Sequence, residues 1–133
     1  MLVDLSSFKK ALENLDKAIS RSILEPQDEI IRDGVIQRFE YTYELSWKML
    51  KRQLEQEMPT PSEIDSLSFK ELIREGVERG LVEKAESWFL YREQRNITSH
   101  IYDGDKAKSV YQTAVTFMTD AKKLFSAMQK RNK

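Results

Sequence analysis

Residues 38–50 read RFEYTYELSWKML, and on a helix this stretch places large side chains on nearly every face. A helix with bulky side chains all round is normally central in its bundle or shared with a partner chain. The sequence therefore predicts a central helix over residues 27–56. Pro26 is expected to open it, because proline is tolerated in the first helical turn.

Helical patterns continue on both sides of this segment, since only four glycines and three prolines interrupt the chain. A first helix is predicted over residues 6–23, where apolar residues recur at intervals of three or four. Residues 58–67 are expected to form a loop. Ser68 and Glu71 then make a capping-box pattern, which predicts a short helix that ends near Gly80.

Two further helices are predicted over residues 82–99 and 106–130, with a turn over residues 102–105 between them. The last helix carries an unbroken apolar stripe, which is typical of a core-facing or coiled-coil-like helix. The sequence thus predicts an all-α, up-and-down four-helix bundle with one extra short helix. A chain of 133 residues suits one domain, so residues 1–133 are expected to form a single bundle.

The composition is that of a well-solvated chain with no overall attraction for nucleic acid. Hydrophobic residues make up 40% and charged residues 33%, and 22 Lys and Arg balance 22 Asp and Glu. A net charge of zero argues against a general nucleic-acid coat protein but leaves room for a local phosphate site. The absence of Cys excludes a disulfide framework and a thiol nucleophile. One His makes a structural metal site unexpected, and no cofactor is expected.

Location is predicted from the lack of two signals. No apolar run approaches the roughly 18 residues of a membrane span. The N-terminal residues show no signal-peptide pattern. A bacterial-type cytoplasmic protein without a membrane partner is therefore expected.

One face of the predicted helix over residues 82–99 carries the most informative side chains. Positions four apart on a helix differ by about 40°, so Arg92, Asn96 and His100 form one polar ribbon. Arg95 lies about 60° from Arg92, and its long side chain can reach the same area. This helical-wheel argument favours Arg92 as the neighbour of His100.

Apolar side chains of this helix are expected to lie on the side opposite the polar ribbon. Leu90, Ile97 and Ile101 share a stripe nearly opposite the polar ribbon, and we expect this stripe to face the helix's own bundle. Trp88 and Phe89 lie near the polar side. Their position indicates that the polar side is not simply bathed in solvent.

These polar side chains suit chemistry on phosphates. An imidazole titrates near neutrality and can donate or accept a proton. A guanidinium binds phosphate with two hydrogen bonds and stabilises charge that develops on it. Together they suit metal-independent RNA cleavage, with a two-fold dimer supplying both an acid and a base. The alternative is structural, because a histidine near a helix C-terminus is favoured by the helix dipole.

The motif and the central helix together resemble a known family. The pattern Arg95-x4-His100-x-Tyr102 resembles the R-x4-H-x-Y motif of the HepT branch of the HEPN superfamily, in which Asn typically follows Arg, as Asn96 does here. Residues 38–48 resemble the second-helix signature of a narrower group, the nucleotidyltransferase substrate-binding proteins. The helix order also agrees, so the resemblance covers essentially the whole chain.

The resemblance implies a HEPN-type homodimer in which the two motif faces meet across a cleft. It also implies a complex with a minimal nucleotidyltransferase, with two copies of each chain. In the role of a binding subunit, the chain would contact a nucleotide or RNA through Arg92, Arg95, Asn96 and His100. The family motif favours Arg95 as the phosphate contact, whereas the wheel favours Arg92.

The same resemblance implies a second role, that of a ribonuclease toxin. Arg95 and His100 would then be catalytic, and the partner would act as antitoxin by adenylylating Tyr102. The added charge and bulk at the cleft would block RNA entry. A non-catalytic helical adaptor is the third alternative. The chain itself shows no Gly-Ser plus paired-Asp pattern of a nucleotidyltransferase active site.

Charged and aromatic residues outside the motif are expected to have structural roles. Asp103 and Asp105 are more typical of a turn or a helix cap than of a metal site. Glu44 and Lys48 could pair at the surface, since they are four apart. Three aromatic residues of the central helix are expected in the core or a dimer interface rather than as base-stacking surfaces: Tyr41, Tyr43 and Trp47. Two charged residues beside them should have partners if buried: Arg38 and Glu40.

Overall fold

Six α-helices make up most of residues 2–132, the range that the computed structural model describes. In chain order they are α1 (Ser6–Leu24), α2 (Glu29–Glu57), α3 (Ser62–Asp65), α4 (Phe69–Glu78), α5 (Ala85–Ile97) and α6 (Gly104–Arg131). A 3₁₀ turn, Thr98–His100, follows α5. No strand occurs within this range, so the all-α prediction is confirmed. None of the described helices is long and apolar enough to cross a membrane.

Helix α2 is the central element of the bundle and contacts each of the other five helices. Its buried stripe includes Phe39, Tyr43 and Leu50, none of which is more than 2% exposed. Half-buried Arg38 reaches back to α1, where its Nη1 donates a hydrogen bond of 2.8 Å to the carbonyl oxygen of Asn14. The prediction of a central helix with side chains packed on several faces is therefore confirmed.

The aromatic core is organised around Phe117 of α6. Its ring meets four others edge to face, with centroids 5.2 Å from Phe39, 6.2 Å from Tyr43, 5.7 Å from Trp88 and 5.2 Å from Tyr91. Aromatic pairs in this geometry stabilise a core beyond the area that they bury. Because the cluster joins α2, α5 and α6, it fixes the position of α5, the motif helix that carries Arg92, Arg95 and Asn96.

Side-chain caps set the start of three helices. Asp28 accepts hydrogen bonds from two backbone N–H groups of α2, so the helix begins at Glu29. Pro26 therefore lies in the preceding turn, and the prediction that it opens the helix is wrong. The predicted capping box at the start of α4 is present. Asp103 caps α6, which confirms the structural role expected of that acid.

The segment over residues 58–67 contains the one-turn helix α3, so the prediction of a plain loop is wrong. Ile64 drives this turn, since it is 1% exposed and α3 contacts α2. Pro61 directly precedes the turn with helical backbone angles. Proline suits the start of a helix as well as a loop, and the burial of Ile64 decides between them here.

Helix α5 turns a different face to the core from the one predicted. Trp88 and Tyr91 are its buried residues, at 2% and 1% exposure, whereas Leu90 is 47% exposed. The expected bundle-facing stripe is therefore wrong at Leu90, while Ile97 and Ile101 are half-buried. The large aromatic side chains remove more apolar area from water than leucine does, and they set the rotation of α5.

Candidate functional site

A cavity of about 490 Å³ opens between α2, α3, α4 and α5. The motif helix contributes Arg92, Arg95 and Asn96 to its lining. The other lining residues come from the three remaining helices and the segment before α4: Tyr43, Glu44, Trp47, Lys51, Ile64, Leu67, Ser68, Phe69 and Leu72. Three of the four ligand contacts expected from the sequence therefore share one cavity.

One stripe of α2 faces the motif helix and consists of Glu40, Glu44, Trp47 and Lys51. These residues follow the i, i+4, i+7, i+11 spacing, which places them on one side of a helix. The two glutamates contact Arg95, and Glu44, Trp47 and Lys51 line the cavity. The signature segment of the central helix thus supplies one wall of the candidate site.

The Arg95 guanidinium is held between two carboxylates of α2. Its Nη2 lies 3.3 Å from Glu40 Oε2, and its Nε lies 3.3 Å from Glu44 Oε1. Nε is buried and has no hydrogen-bond partner among the described residues, so its contact with Glu44 is electrostatic only. The Thr98 hydroxyl donates to the Arg95 carbonyl oxygen, 2.8 Å away, and lies 3.3 Å from Glu40 Oε2. Arg95 therefore joins α5 to α2, and its charge is compensated within the chain.

Arg92 differs from Arg95 because its charge is not compensated. Its guanidinium carbon lies 4.6 Å from the Phe69 ring centroid, a cation–π contact that orients the group. Among residues 2–132, Arg92 forms no ion pair with a carboxylate. The side chain is exposed and lines the cavity. An oriented guanidinium without a carboxylate partner is available to bind an anion.

Asn96 lies between two cavities. With Arg92 it lines the large cavity and also a smaller one of about 280 Å³ beside Phe89. The prediction that Phe89 lies near the polar side of α5 is confirmed. The same prediction for Trp88 is wrong, because Trp88 is buried against Phe117. The Asn96 amide can therefore offer a donor and an acceptor to a ligand in either cavity.

His100 and Tyr102 lie beyond the end of α5 and outside the large cavity. His100 is the last residue of the 3₁₀ turn, and its ring centroid lies 6.0 Å from that of Tyr102. Both side chains are exposed, Tyr102 at 84%. The tighter 3₁₀ turn breaks the four-residue spacing that the polar ribbon assumed. The structure therefore brings Arg92 and Asn96 together and places His100 beside Tyr102 instead.

Two buried tyrosines near the site do not ionise at neutral pH. Burial raises the pKa of Tyr43, which lines the cavity, and the positive charges of Arg92 and Arg95 only partly oppose this effect. Burial also raises the pKa of Tyr91, as does its hydrogen bond to the carboxylate of Asp120. Both phenols therefore stay protonated and act as packing groups.

The charge of the cavity lining suits an anion rather than a metal ion. Among the lining cations, Arg95 is paired with Glu40 and Glu44 and Lys51 with Asp65, so Arg92 is the lining cation without a carboxylate partner among residues 2–132. In the described part of the chain, no group of three or more His, Cys, Asp or Glu side chains could hold a metal. The site is therefore equipped to recognise phosphate or carboxylate groups.

Sequence reasoning placed Trp47 in the core or a dimer interface, did not consider Lys51 as a site residue, and paired Glu44 with Lys48. That pairing is wrong, since Glu44 contacts Arg95 and the Lys48 ammonium lies 5.9 Å from the Trp47 ring centroid. The sequence feature that could have predicted this side of the cavity is the helical spacing of positions 40, 44, 47 and 51. This spacing marks a single stripe of α2 with two acids at one end and a base at the other.

Relatives of known sequence share nearly the whole length of this chain. Residues 3–130 match the family described as nucleotidyltransferase substrate binding protein like. The chain is 36% identical to a Haemophilus influenzae protein named probable ribonuclease HepT, with 98% of this chain and 94% of that protein covered. The match therefore includes all of the helices that build the candidate site.

Solved structures agree with this relationship. One from Haemophilus influenzae, described as revealing the fold of a substrate binding domain of a nucleotidyltransferase, has a TM-score of 0.87 and 34% identity. The match covers 95% of this chain and 99% of that one. A crystal structure from Thermus thermophilus has a TM-score of 0.77 and 28% identity, over 91% and 98% of the two chains. This chain belongs to the nucleotidyltransferase substrate-binding protein-like family.

Proposed function

We propose that this chain is the helical binding subunit of a minimal nucleotidyltransferase, in a two-gene module of the toxin–antitoxin kind. It works in the cytoplasm as a single-domain homodimer and assembles with two copies of the enzyme. Of the four ligand contacts expected from the sequence, Arg92, Arg95 and Asn96 line the cavity, and His100 lies beyond it. The observation that carries the proposal is the uncompensated Arg92 guanidinium beside a cavity of about 490 Å³.

The descriptions of the relatives support this role. The matched family and the Haemophilus structure are both described in terms of substrate binding for a nucleotidyltransferase. An enzyme of this class handles phosphate-bearing substrates, and Arg92 offers the cavity a guanidinium that makes no ion pair among residues 2–132. A binding subunit therefore fits both the relatives and the chemistry of the cavity.

Within this role, the two arginines have different duties. Arg92 is exposed and unpaired among the described residues, so it is the primary anion contact. Arg95 is held by Glu40 and Glu44, and a ligand would have to compete with two carboxylates for it. Arg95 is therefore chiefly a positioning residue that fixes α5 against α2. The proposal thus favours Arg92 as the phosphate contact, as helical spacing did, over Arg95, which the family motif favours.

The proposal is tested by co-expressing the chain with the minimal nucleotidyltransferase that a two-gene module would encode beside it. Size-exclusion chromatography with light scattering should find one complex that contains two copies of each chain. The Michaelis constant of the enzyme for its nucleotide should fall when the chain is present. Two separate proteins with unchanged kinetics would contradict the proposal.

A ribonuclease toxin is the second candidate, and one observation favours it specifically. His100 lies beside the highly exposed Tyr102, so a proton-transfer group and a modifiable phenol are accessible at the same place. The relative named probable ribonuclease HepT supports the same role. In a homodimer, two His100 imidazoles would supply the acid and the base, and Arg95 would stabilise the phosphorane.

This candidate is tested by expressing the chain alone in a bacterial host and following growth and RNA integrity. RNA cleavage that His100→Ala abolishes, with Tyr41→Phe as the matched control, would support the ribonuclease. Co-expression with the nucleotidyltransferase should then add an adenylyl group that Tyr102→Phe removes, as read by intact mass. Unchanged growth and intact RNA with the unaltered chain would exclude this role.

A further inference from the structure

We infer that the 490 Å³ cavity binds one nucleoside phosphate, with the base packed against Trp47 and Phe69 and the phosphates on Arg92 and Lys51. This inference rests on the proposed function and names the ligand class of that site. It also moves the site away from the exposed His100 end of α5. Neither Trp47 nor Lys51 belongs to the R-x4-H-x-Y motif.

An aromatic corner forms the apolar part of the cavity. The Trp47 and Phe69 ring centroids lie 6.1 Å apart, and their planes are nearly perpendicular at 87°. Both rings are half-buried and line the cavity instead of being sealed in the core. A planar base can stack on one ring of such a corner while it meets the edge of the other, because every base has a π face.

The two cations assigned to the phosphates lie close to the two aromatic rings of the cavity. Lys51 is one helical turn beyond Trp47 on α2, and the Arg92 guanidinium covers the Phe69 ring. Lys51 pairs with Asp65 at 3.2 Å, but both side chains are more than a third exposed. Such surface pairs contribute little and are readily exchanged for a phosphate. The cavity can therefore present two cations to one polyphosphate.

The size of the cavity limits the ligand. Its volume of about 490 Å³ falls within the roughly 300–1,000 Å³ of small-molecule and cofactor sites. A buried hydrophobic floor, with Ile64 and Leu72 among the lining residues, closes one side. A single mononucleotide matches a cavity of this size better than a continuous RNA strand, which needs an extended basic track.

The inference is tested by titrating the full chain with ATP, tripolyphosphate and adenosine while calorimetry and tryptophan fluorescence are recorded. Only two tryptophans are present, and Trp88 is buried, so quenching by a stacked base would come from Trp47. ATP should quench saturably and bind at least tenfold more tightly than tripolyphosphate. Adenosine should bind at least tenfold more weakly than ATP, because it lacks phosphate.

Variants separate the base contact from the phosphate contact. Trp47→Leu should lower the affinity for ATP at least fivefold and leave the affinity for tripolyphosphate unchanged, as expected for loss of one stacked base. Trp47→Phe keeps a smaller ring and should give an intermediate affinity for ATP. Lys51→Ala should weaken both ligands. Tyr41→Leu, an exposed aromatic on the same helix but outside the cavity lining, is the matched control.

Several outcomes would overturn the inference. ATP affinity unaffected by Trp47→Leu, or tripolyphosphate binding as tightly as ATP, would show that the cavity holds no base. If Trp47→Leu does not fold by circular dichroism, Trp47→Phe and Lys51→Ala decide the result. Failure of ATP to bind at all would overturn the inference that the cavity binds a nucleoside phosphate. The proposed function would still be judged separately, by assembly with the nucleotidyltransferase.

Discussion

Arg95 Nη2 lies 3.3 Å from Glu40 Oε2, and this contact ties the motif helix α5 to the central helix α2. Glu44 approaches the same guanidinium from the next turn of α2. The arginine that the family motif marks as functional is thus occupied by two carboxylates of its own chain. In the free chain Arg95 holds α5 against α2, whereas Arg92 makes no ion pair with a carboxylate among residues 2–132.

Replacing Arg95 should lower stability through this charge arrangement. The three side chains are each about a third exposed, so solvent screens the ion pairs and the expected loss for Arg95→Ala is about 1 kcal/mol. Part of that loss comes from the like charges of Glu40 and Glu44, which are left facing each other one turn apart. Urea unfolding at low and high salt would measure the loss, which should shrink as salt rises.

The control for this prediction is a background that lacks both charges. In a chain that carries both Glu40→Gln and Glu44→Gln, the further change Arg95→Ala should lower the free energy of unfolding by less than half as much as it does in the original chain. An equal loss in the two backgrounds would mean that Arg95 stabilises through packing of its aliphatic stem instead.

Two glycines should respond to alanine with opposite signs. A Cβ at Gly76 would lie 2.9 Å from Val82 Cγ2 and 3.2 Å from Leu50 Cδ2, both in the buried core, so Gly76→Ala should destabilise by about 1–3 kcal/mol. A Cβ at Gly34 would meet nothing within 4 Å, so Gly34→Ala should stabilise α2 by about 0.5–1 kcal/mol. Thermal unfolding monitored by circular dichroism checks both. A stabilised Gly76→Ala would show that α4 can move away from α2.

Alkaline pH should destabilise the fold through two buried tyrosines. Burial raises the folded-state pKa of Tyr43 and Tyr91 above the unfolded value of about 10. Their contribution to stability is therefore complete below pH 10 and is lost as the pH rises above it, by about 1.4 kcal/mol per pH unit for each tyrosine. Urea unfolding at a series of pH values measures this slope.

Variants identify which tyrosine is responsible for the slope. Tyr91→Phe should reduce the loss of stability above pH 10, and Tyr43→Phe should do the same. Tyrosinate absorbance should show that these two residues ionise together with unfolding and not before it. A slope unchanged in both variants would contradict the assignment.

Helix positions were largely predictable from the sequence, because glycine, proline and capping residues mark the ends of helices. Residues 39–48 alternate apolar and polar side chains and could equally favour a strand. The absence of glycine and proline over residues 35–58 favours one long helix instead. The structure buries Phe39, Thr42, Tyr43 and Ser46, at helical spacing. Two small polar residues therefore face inward, which no hydrophobic pattern predicts.

The candidate site was only partly predictable, because its geometry depends on how α5 is rotated against α2. Helical spacing and the family motif together named Arg92, Arg95 and Asn96, and the cavity brings these three together. The rotation is set by Trp88 and Tyr91, which pack on Phe117 of a helix distant in sequence. A helical wheel drawn for α5 alone contains no information about that contact. For the same reason, the wheel could not show that Arg95 meets two glutamates.

The central claim is that Arg92 is the anion contact of a binding subunit, and one pair of variants tests it directly. Arg74 is a matched control, since its guanidinium also lies over a phenylalanine ring, 5.5 Å from the Phe89 centroid, but does not line the large cavity. ATP would be titrated calorimetrically into the complex of this chain with the nucleotidyltransferase partner proposed above. We expect Arg92→Ala to weaken binding about tenfold or more, as for a lost charge-assisted hydrogen bond, and Arg74→Ala to bind like the original complex. Equal affinity for the Arg92→Ala and Arg74→Ala complexes would contradict the claim.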